Sequence, residues 1–180
     1  SFSPVTTDDL ESIVSLVQAV SWPHRPADID LMIRLGGGRL VHDDSTGQVL
    51  GAGLNWVFGN ALARLGLIII APESQGRGIG RKLVTQLLED IGPHPVVLLA
   101  TDAGRPLYES LGFTAFDTST QYQGTYDGAP SPDPRIRPGT DADMEKISDL
   151  DAPAFGARRA HALEQLASAG EVSVLSENGA

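Results

Sequence analysis

The chain of 180 residues carries a formal charge of −10 and contains no cysteine. This length suits one well-packed domain, alone or with a smaller second unit, and is too short for two full enzyme domains. The missing cysteines exclude disulfides, thiolate metal ligands and a cysteine nucleophile. The four histidines lack metal-ligand spacing, so we expect no metal. Neither the part up to Gly128 nor the remainder has a basic excess, which argues against a nucleic-acid partner.

The longest apolar stretch, Leu65 to Pro72, is too short to span a bilayer, and no signal segment begins at Ser1. We therefore expect a cytoplasmic protein without a membrane partner. Its acidic balance favours a cationic or neutral acceptor over a polyanion.

Hydrophobic periodicity predicts alternating helices and strands over the first 128 residues. A one-sided apolar stripe from Leu10 to Val20 predicts the first helix, and Pro26 and Gly36 bound a second. Further strands are predicted at 39–43, 48–58, 61–71, 96–100, 113–118 and 120–126, with helices at 78–91 and 105–110. The run from Leu67 to Ile70 is apolar throughout, which predicts a central strand covered on both faces. The order β-α-α-β-β-β-α-β-α-β-β indicates an α/β (α+β) fold with a mixed sheet.

Residues 129–134 are predicted to form a proline-rich linker into a partial second unit at 135–180. There, two helical segments and a strand repeat the β-α-α-β order of the chain's start, and Pro138-Gly139-Thr140-Asp141 echoes Pro4-Val5-Thr6-Thr7-Asp8. A hairpin turn is expected at 177–180. Such a fragment needs a covering surface for its sheet edge, which the first domain or a homodimer would provide.

Residues 75–80, Gln-Gly-Arg-Gly-Ile-Gly, lie between the predicted central strand and an amphipathic helix. Glycines let a backbone approach an anion closely, and a helix start offers unpaired N–H groups and a positive dipole end. A phosphate or pyrophosphate is the expected ligand; a plain strand-to-helix turn is the alternative. A dinucleotide fingerprint fails because position 81 is arginine, and Arg81-Lys82-Leu83 does not fit a P-loop.

Residues 67–80 resemble the acyl-CoA-binding motif of GNAT N-acetyltransferases, Gln/Arg-x-x-Gly-x-Gly/Ala after a strand that ends in x-Pro. Residues 105–113 resemble the family's second signature, Leu-Tyr-x-x-x-Gly-Phe on its last helix. The resemblance covers residues 1–128 and implies a GNAT-like fold that transfers an acetyl group from acetyl-CoA to a primary amine. The amine of a small-molecule acceptor would attack directly within a ternary complex. The tail resembles the start of a second GNAT repeat but contains no signature.

The resemblance implies roles for the matching residues. Backbone N–H groups of the turn would bind the CoA pyrophosphate; the turn consists of Gln75, Gly76, Arg77, Gly78, Ile79 and Gly80. The main chain near Ile68 and Ile70 would pair with the pantetheine arm, and a donor from the same strand would stabilise the oxyanion. Tyr108 would protonate the leaving thiolate, or would simply pack in the core. Arg77 and Arg81 would either reach CoA phosphates or remain solvated.

Two positions depart from the family pattern. Thr101 stands where asparagine is common, and a hydroxyl replaces only one of the amide's hydrogen bonds. Arg64 stands where histone-modifying members carry a general-base glutamate, so no base can be carried over.

Other side chains are open candidates for the base and for the acceptor pocket. A proton relay through water could use His24, Asp28 or Asp30, although surface polar roles are commoner for all three. Trp22 and Trp56 would line the acceptor pocket or pack in the core. The alternatives to an enzyme are a non-catalytic acyl-CoA sensor and a tandem scaffold whose glycine turn binds nothing.

Overall fold

The computed structural model describes residues 1–122, 124, 125, 128 and 133–175. The chain divides into two compact units, Ser1–Phe116 and Asp117–Ala180. Residues 129–132 of the predicted linker and the expected turn at 177–180 lie outside the described residues.

The first unit is a five-stranded sheet with helices packed on both faces. The strands lie in the order β1-β2-β3-β4-β5, and all neighbours are antiparallel except β4 and β5, which are parallel. This mixed sheet confirms the predicted fold class. Its elements are β1 (Phe2–Pro4), α1 (Leu10–Ala19), α2 (Pro26–Leu35), β2 (Gly37–His42), β3 (Val49–Phe58), β4 (Leu62–Ile70), α3 (Ile79–Ile91), β5 (Val96–Leu98) and α4 (Arg105–Glu109).

Strand β4 joins two apolar clusters on opposite faces of the sheet. Leu67 and Ile69 pack into the cluster that holds α1 and α2, whereas Ile68 and Ile70 pack against the cluster around α3. Each fully buried aliphatic side chain of this kind contributes about 1.5–3 kcal/mol. The prediction of a strand covered on both faces is confirmed, and this double anchorage fixes the strand that carries the candidate site.

The prediction of two late strands was wrong for the residues that the structure describes. Residues 113–118 form no strand, and neither do the described positions within 120–126. Phe116 and Tyr122 are 82% and 88% exposed, so little apolar burial offsets the entropy cost of ordering an extended segment. The neighbouring edge strand β5 has only 3 residues to pair with. The element order of the described first unit therefore ends at α4.

The second unit has the order β-α-α-β over its described residues. Its elements are β6 (Ile136–Pro138), α5 (Met144–Phe155), α6 (Ala160–Ala169) and β7 (Ser173–Leu175), with β6 and β7 antiparallel. The first helix of each unit follows the same capping box, in which a threonine N–H donates to an aspartate three residues on: Thr6 to Asp9 at 2.7 Å and Thr140 to Asp143 at 2.8 Å. That this unit begins a second GNAT repeat stays a prediction.

Candidate active site

The candidate site lies in the opening between strands β4 and β5. These strands pair only from Ala63 to Leu65, opposite Val96 to Leu98, although β4 continues to Ile70. A cleft of about 80 Å³ occupies the start of this opening. It is lined by Trp22, Leu65, Gly66, Leu67, Ile68, Leu98, Leu99, Thr101, Gly104 and Tyr108.

A bulge in β4 controls which backbone groups face this opening. Leu54 pairs with Gly66 and Ala52 with Ile69, so Leu67 and Ile68 together stand opposite one residue of β3. The N–H of Ala71 donates to Leu50 of β3 at 2.8 Å. Because successive residues of a strand direct their N–H and C=O groups to alternate sides, the backbone groups of Ile68 and Ile70 point away from β3, toward the opening. The backbone groups of the two isoleucines that are predicted to pair with the pantetheine arm thus lie on the same side of β4.

Backbone strain is concentrated beside the cleft. Among the described non-glycine residues, only Ser21 and Leu67 have positive φ, at 55° and 51°. Leu67 forms the bulge, and Ser21 ends α1 in a left-handed turn in which the Trp22 N–H donates to the Val17 carbonyl at 3.1 Å. That turn leads Trp22 to the cleft wall. Strained conformations of this kind cost about 1–3 kcal/mol each and cluster at functional sites.

The glycine turn has the geometry that an anion site requires. Gly76 and Gly78 have φ of 73° and 76°, and a Cβ added at either would meet nothing within 4 Å. The glycines are therefore required by backbone conformation, and the space beside them is open. Gly78 caps α3, whose first internal bond runs from the Lys82 N–H to the Gly78 carbonyl at 3.3 Å. The preceding N–H groups of the first turn, including those of Ile79 and Gly80, have no intrahelical acceptor.

The turn is tied to the end of β4 and to α4. The Gln75 side-chain amide donates to the Ile70 carbonyl at 3.0 Å. A Cβ on Gly80 would make an ordinary contact with Leu107 at 3.4 Å, so Gly80 lies where α3 meets α4. Arg81 donates to the Ser110 hydroxyl at 2.5 Å, whereas Arg77 is exposed. Phosphate contacts by either arginine stay a prediction.

Tyr108 and Thr101 reach the cleft from the α4 end. The Tyr108 ring packs edge-on against Phe113, with ring centroids 5.9 Å apart. Burial raises the pKa of the Tyr108 hydroxyl, which keeps it a proton donor at neutral pH. The Thr101 hydroxyl accepts the Gly104 N–H at 3.1 Å, so it shapes the turn into α4.

The candidate bases differ in their hydrogen-bonding partners. Asp28 accepts two bonds from the Arg25 guanidinium, both at 2.8 Å, and this pairing lowers the pKa of Asp28. Asp30 pairs with Arg34 at 2.9 Å. The His24 ring lies 5.8 Å from the Trp22 ring, and its Nδ1 is buried without a hydrogen-bond partner.

The two tryptophans have separate positions. Trp22 lines the cleft, as the acceptor-pocket prediction requires. The indole N–H of Trp56 donates to the Met32 carbonyl at 3.0 Å, and its ring packs against the α1–α2 cluster. Trp56 therefore packs against the core and does not line the cleft.

Sequence reasoning missed the bulge and the contribution of Leu99 to the cleft. Gly66 was the available signal for the bulge, because glycine inside a strand often marks one. Within the described residues, no three metal-ligating side chains lie together, and no helix is both long and apolar enough to cross a bilayer.

Residues 37–115 match the family model described as an acetyltransferase (GNAT) domain. The matched range runs from β2 through α4 and contains the bulge, the glycine turn and Tyr108. This stretch of the chain is therefore similar to a GNAT acetyltransferase domain.

Two curated proteins are similar in sequence. The uncharacterized N-acetyltransferase YitH of Bacillus subtilis is 25% identical over 95% of this chain, which spans 61% of that protein. The mycothiol acetyltransferase of Pseudarthrobacter chlorophenolicus is 33% identical over 51% of this chain and 32% of its own length. The chain thus spans less than two thirds of either relative.

Solved structures share the fold. A candidate acetyltransferase from Pyrococcus horikoshii superposes with a TM-score of 0.75 at 20% identity, over 98% of this chain and 64% of that one. A predicted acetyltransferase with acetyl-CoA from Clostridium acetobutylicum has a TM-score of 0.56 at 15% identity, over 68% of this chain and 95% of its own. At these identities, the likeness supports the GNAT fold.

Proposed function

We propose that this protein transfers an acetyl group from acetyl-CoA to the primary amine of a small-molecule acceptor. The observation that carries the proposal is the succession of features along β4. The cleft lies beside Leu65 to Ile68, and the edge of β4 that does not pair with β5 continues to Ile70, whose carbonyl accepts the Gln75 side-chain amide. The glycine turn at 75–80 follows. Acetyl thioester, pantetheine arm and pyrophosphate follow one another in the same order along acetyl-CoA, so one extended molecule matches all three features.

The proposed reaction needs no protein nucleophile. The amine attacks the thioester carbonyl directly, and holding both reactants in the cleft supplies most of the acceleration. A backbone N–H at the β4 bulge is suited to stabilise the oxyanion, because a bulge re-aims backbone groups. Tyr108, neutral and on the cleft wall, protonates the departing CoA thiolate.

Two relatives support an amine acceptor of low molecular weight. One is named an N-acetyltransferase, and the other a mycothiol acetyltransferase. The mouth of a cleft of about 80 Å³ admits a small acyl group and the tip of an acceptor more readily than a folded protein surface. The acidic net charge of −10 also favours a cationic amine.

The proposal assigns one acetyl-CoA site to each chain, in the first unit. Residues 133–175 of the second unit contain no tyrosine and no turn with several glycines between a strand and a helix. We propose that this unit supports the protein's assembly, as a cover for sheet edges or in a homodimer.

A thiol-release assay with a panel of amines tests the function. We expect free CoA thiol to appear only when amine is present, together with an equal amount of acetylated amine by mass spectrometry. Tight acetyl-CoA binding without amine-dependent release would contradict the enzyme and favour an acyl-CoA sensor.

A further inference from the structure

The proposed reaction requires a proton acceptor that the cleft wall does not provide. Primary alkyl amines have pKa values near those of lysine, about 10, so they arrive protonated at neutral pH. An ammonium group has no lone pair for attack and must first lose a proton. The cleft lining contains aliphatic and aromatic side chains, glycines, Thr101 and the tyrosine assigned as the acid, but neither a carboxylate nor an imidazole. The acceptor of this proton must therefore lie beyond the lining.

Two carboxylates near the α1–α2 connection are already paired. Asp28 is held by a bidentate bond from Arg25, and Asp30 by Arg34 at 2.9 Å. A carboxylate bound to a guanidinium is a weaker proton acceptor, because taking the proton would break a charge-assisted hydrogen bond. Neither aspartate is suited to the task.

His24 has the opposite character. Its ring lies beside Trp22, with centroids 5.8 Å apart and ring planes tilted by 44°, and Trp22 itself lines the cleft. Its Nδ1 is buried and has no hydrogen-bond partner. Buried polar atoms in folded proteins are nearly always paired, so an unpaired one marks a place for water or for chemistry. A water between this nitrogen and the cleft would satisfy it and would complete a proton path.

We propose that His24 is the proton acceptor for the amine substrate, working through one water that binds to its imidazole. This assignment rests on the proposed function. The ammonium gives a proton to the water, which gives its own proton to the imidazole lone pair. The freed amine lone pair then forms the C–N bond at the thioester carbonyl, and the C–S bond breaks. Tyr108 protonates the thiolate and regains a proton from the new amide nitrogen, and His24 releases its proton to solvent.

The charged surroundings of His24 fit this role. The charge of His24 is the smallest of the influences that lower the pKa of Asp28, after the hydrogen bonds and charge of Arg25, and Arg25 is paired with Asp28. The uncharged ring of Trp22 also lies beside the imidazole. The arginine keeps the aspartate itself from taking the proton, because it lowers the pKa of that carboxyl group.

The test uses two amide variants of the full chain, His24→Asn and His24→Gln, which place an amide near Nδ1 and Nε2 respectively and cannot accept a proton. His94→Gln is the matched control, because His94 does not line the cleft. Its Nδ1–H donates to the Ile91 carbonyl at the end of α3, at 2.7 Å. Each variant is assayed with a strongly basic alkyl amine and with a weakly basic amine that is neutral at the assay pH. Acetyl-CoA affinity and thermal unfolding are measured alongside.

With the alkyl amine at neutral pH, we expect kcat/KM to fall by about 100-fold in both His24 variants, a typical contribution of acid-base catalysis. The loss should shrink as the pH rises and should be less than about threefold for the weakly basic amine. Acetyl-CoA affinity and the His94→Gln rate should match the parent.

Equal losses for both amines, or an unchanged pH profile, would overturn the role of His24 while leaving the proposed function standing. A parent protein that binds acetyl-CoA but acetylates no amine would overturn the proposed function and this assignment together. If one His24 variant unfolds, the other still decides between these outcomes.

Discussion

Replacing Gly78 separates the binding role of the glycine turn from its conformational role. Gly78 has φ of 76°, and an added Cβ would meet nothing within 4 Å. Alanine there clashes with no protein atom, yet it must adopt the left-handed region, which costs about 1–2 kcal/mol. Gly47, in the β2–β3 turn, has φ of 72° and equally open surroundings. Gly47→Ala is therefore a control with the same backbone strain at a position away from the glycine turn.

We expect both alanine variants to lose about 1–2 kcal/mol of unfolding free energy, but only Gly78→Ala to lose CoA affinity. Each hydrogen bond to a charged group contributes about 1.5–3 kcal/mol, so displacing one pyrophosphate contact should raise the Kd about 10- to 150-fold. Gly78→Asn adds a test, since asparagine tolerates this conformation; it should bind CoA weakly while keeping more of the stability.

Isothermal titration of CoA and chemical unfolding measure the two effects on the same samples. Affinity in a folded Gly78→Ala or Gly78→Asn protein within twofold of the parent would refute the placement of the pyrophosphate at this turn. A matching loss of affinity in Gly47→Ala would show that general destabilisation had been mistaken for binding.

Three further predictions concern the acid, the strained turn and the number of sites. Tyr108→Phe keeps the ring packing and should lower kcat by about 100-fold. The control Tyr122→Phe changes a side chain that is 88% exposed and should leave kcat unchanged. A kcat of Tyr108→Phe within twofold of the parent, with chemistry rate-limiting, would show that Tyr108 is not the general acid. Ser21→Gly should raise the free energy of unfolding by up to about 1 kcal/mol, because glycine adopts positive φ freely. A lower free energy of unfolding for this variant, measured by urea denaturation, would argue against backbone strain at Ser21. CoA titration should give one site per chain, and a chain ending at Gly128 should keep it; a stoichiometry near two would contradict a single site.

The pH dependence of the Tyr108 step has a definite sign. Burial raises the pKa of this hydroxyl above that of an ordinary tyrosine, so the neutral donor form persists to higher pH than in an unfolded chain. The contribution of Tyr108 to the free energy of unfolding is therefore complete below about pH 10, the usual pKa of tyrosine. It is lost as the pH rises through the higher pKa that Tyr108 has in the folded protein.

Local sequence signals predicted the elements that depend on neighbouring residues. The apolar run in β4 and the glycine turn after it are both readable within a few positions, because burial on two faces and positive φ restrict the residue types directly. The prediction of late strands at 113–118 and 120–126 was wrong, over the described residues, for the opposite reason. A strand needs a partner elsewhere in the chain, and the exposed Phe116 shows that alternating apolar residues do not guarantee one.

The site was only partly accessible from sequence. The sequence motifs indicated Tyr108 and the glycine turn at 75–80. The bulge at Leu67 results from the register between β3 and β4, which no local pattern specifies. The orphaned Nδ1 of His24 likewise depends on what surrounds the ring in three dimensions. Arg81 was predicted to reach phosphate or solvent, but its bond to Ser110 depends on how α3 packs against α4.

The most direct test of acetyl transfer by direct attack follows an isotope-labelled acetyl group from acetyl-CoA. We predict that the label appears in the amide of the acceptor, in proportion to CoA released, and that no label is retained on the protein when acceptor is withheld. Label on the protein would indicate an acyl-enzyme, and label that stays in acetyl-CoA with every amine tried would contradict the transferase itself.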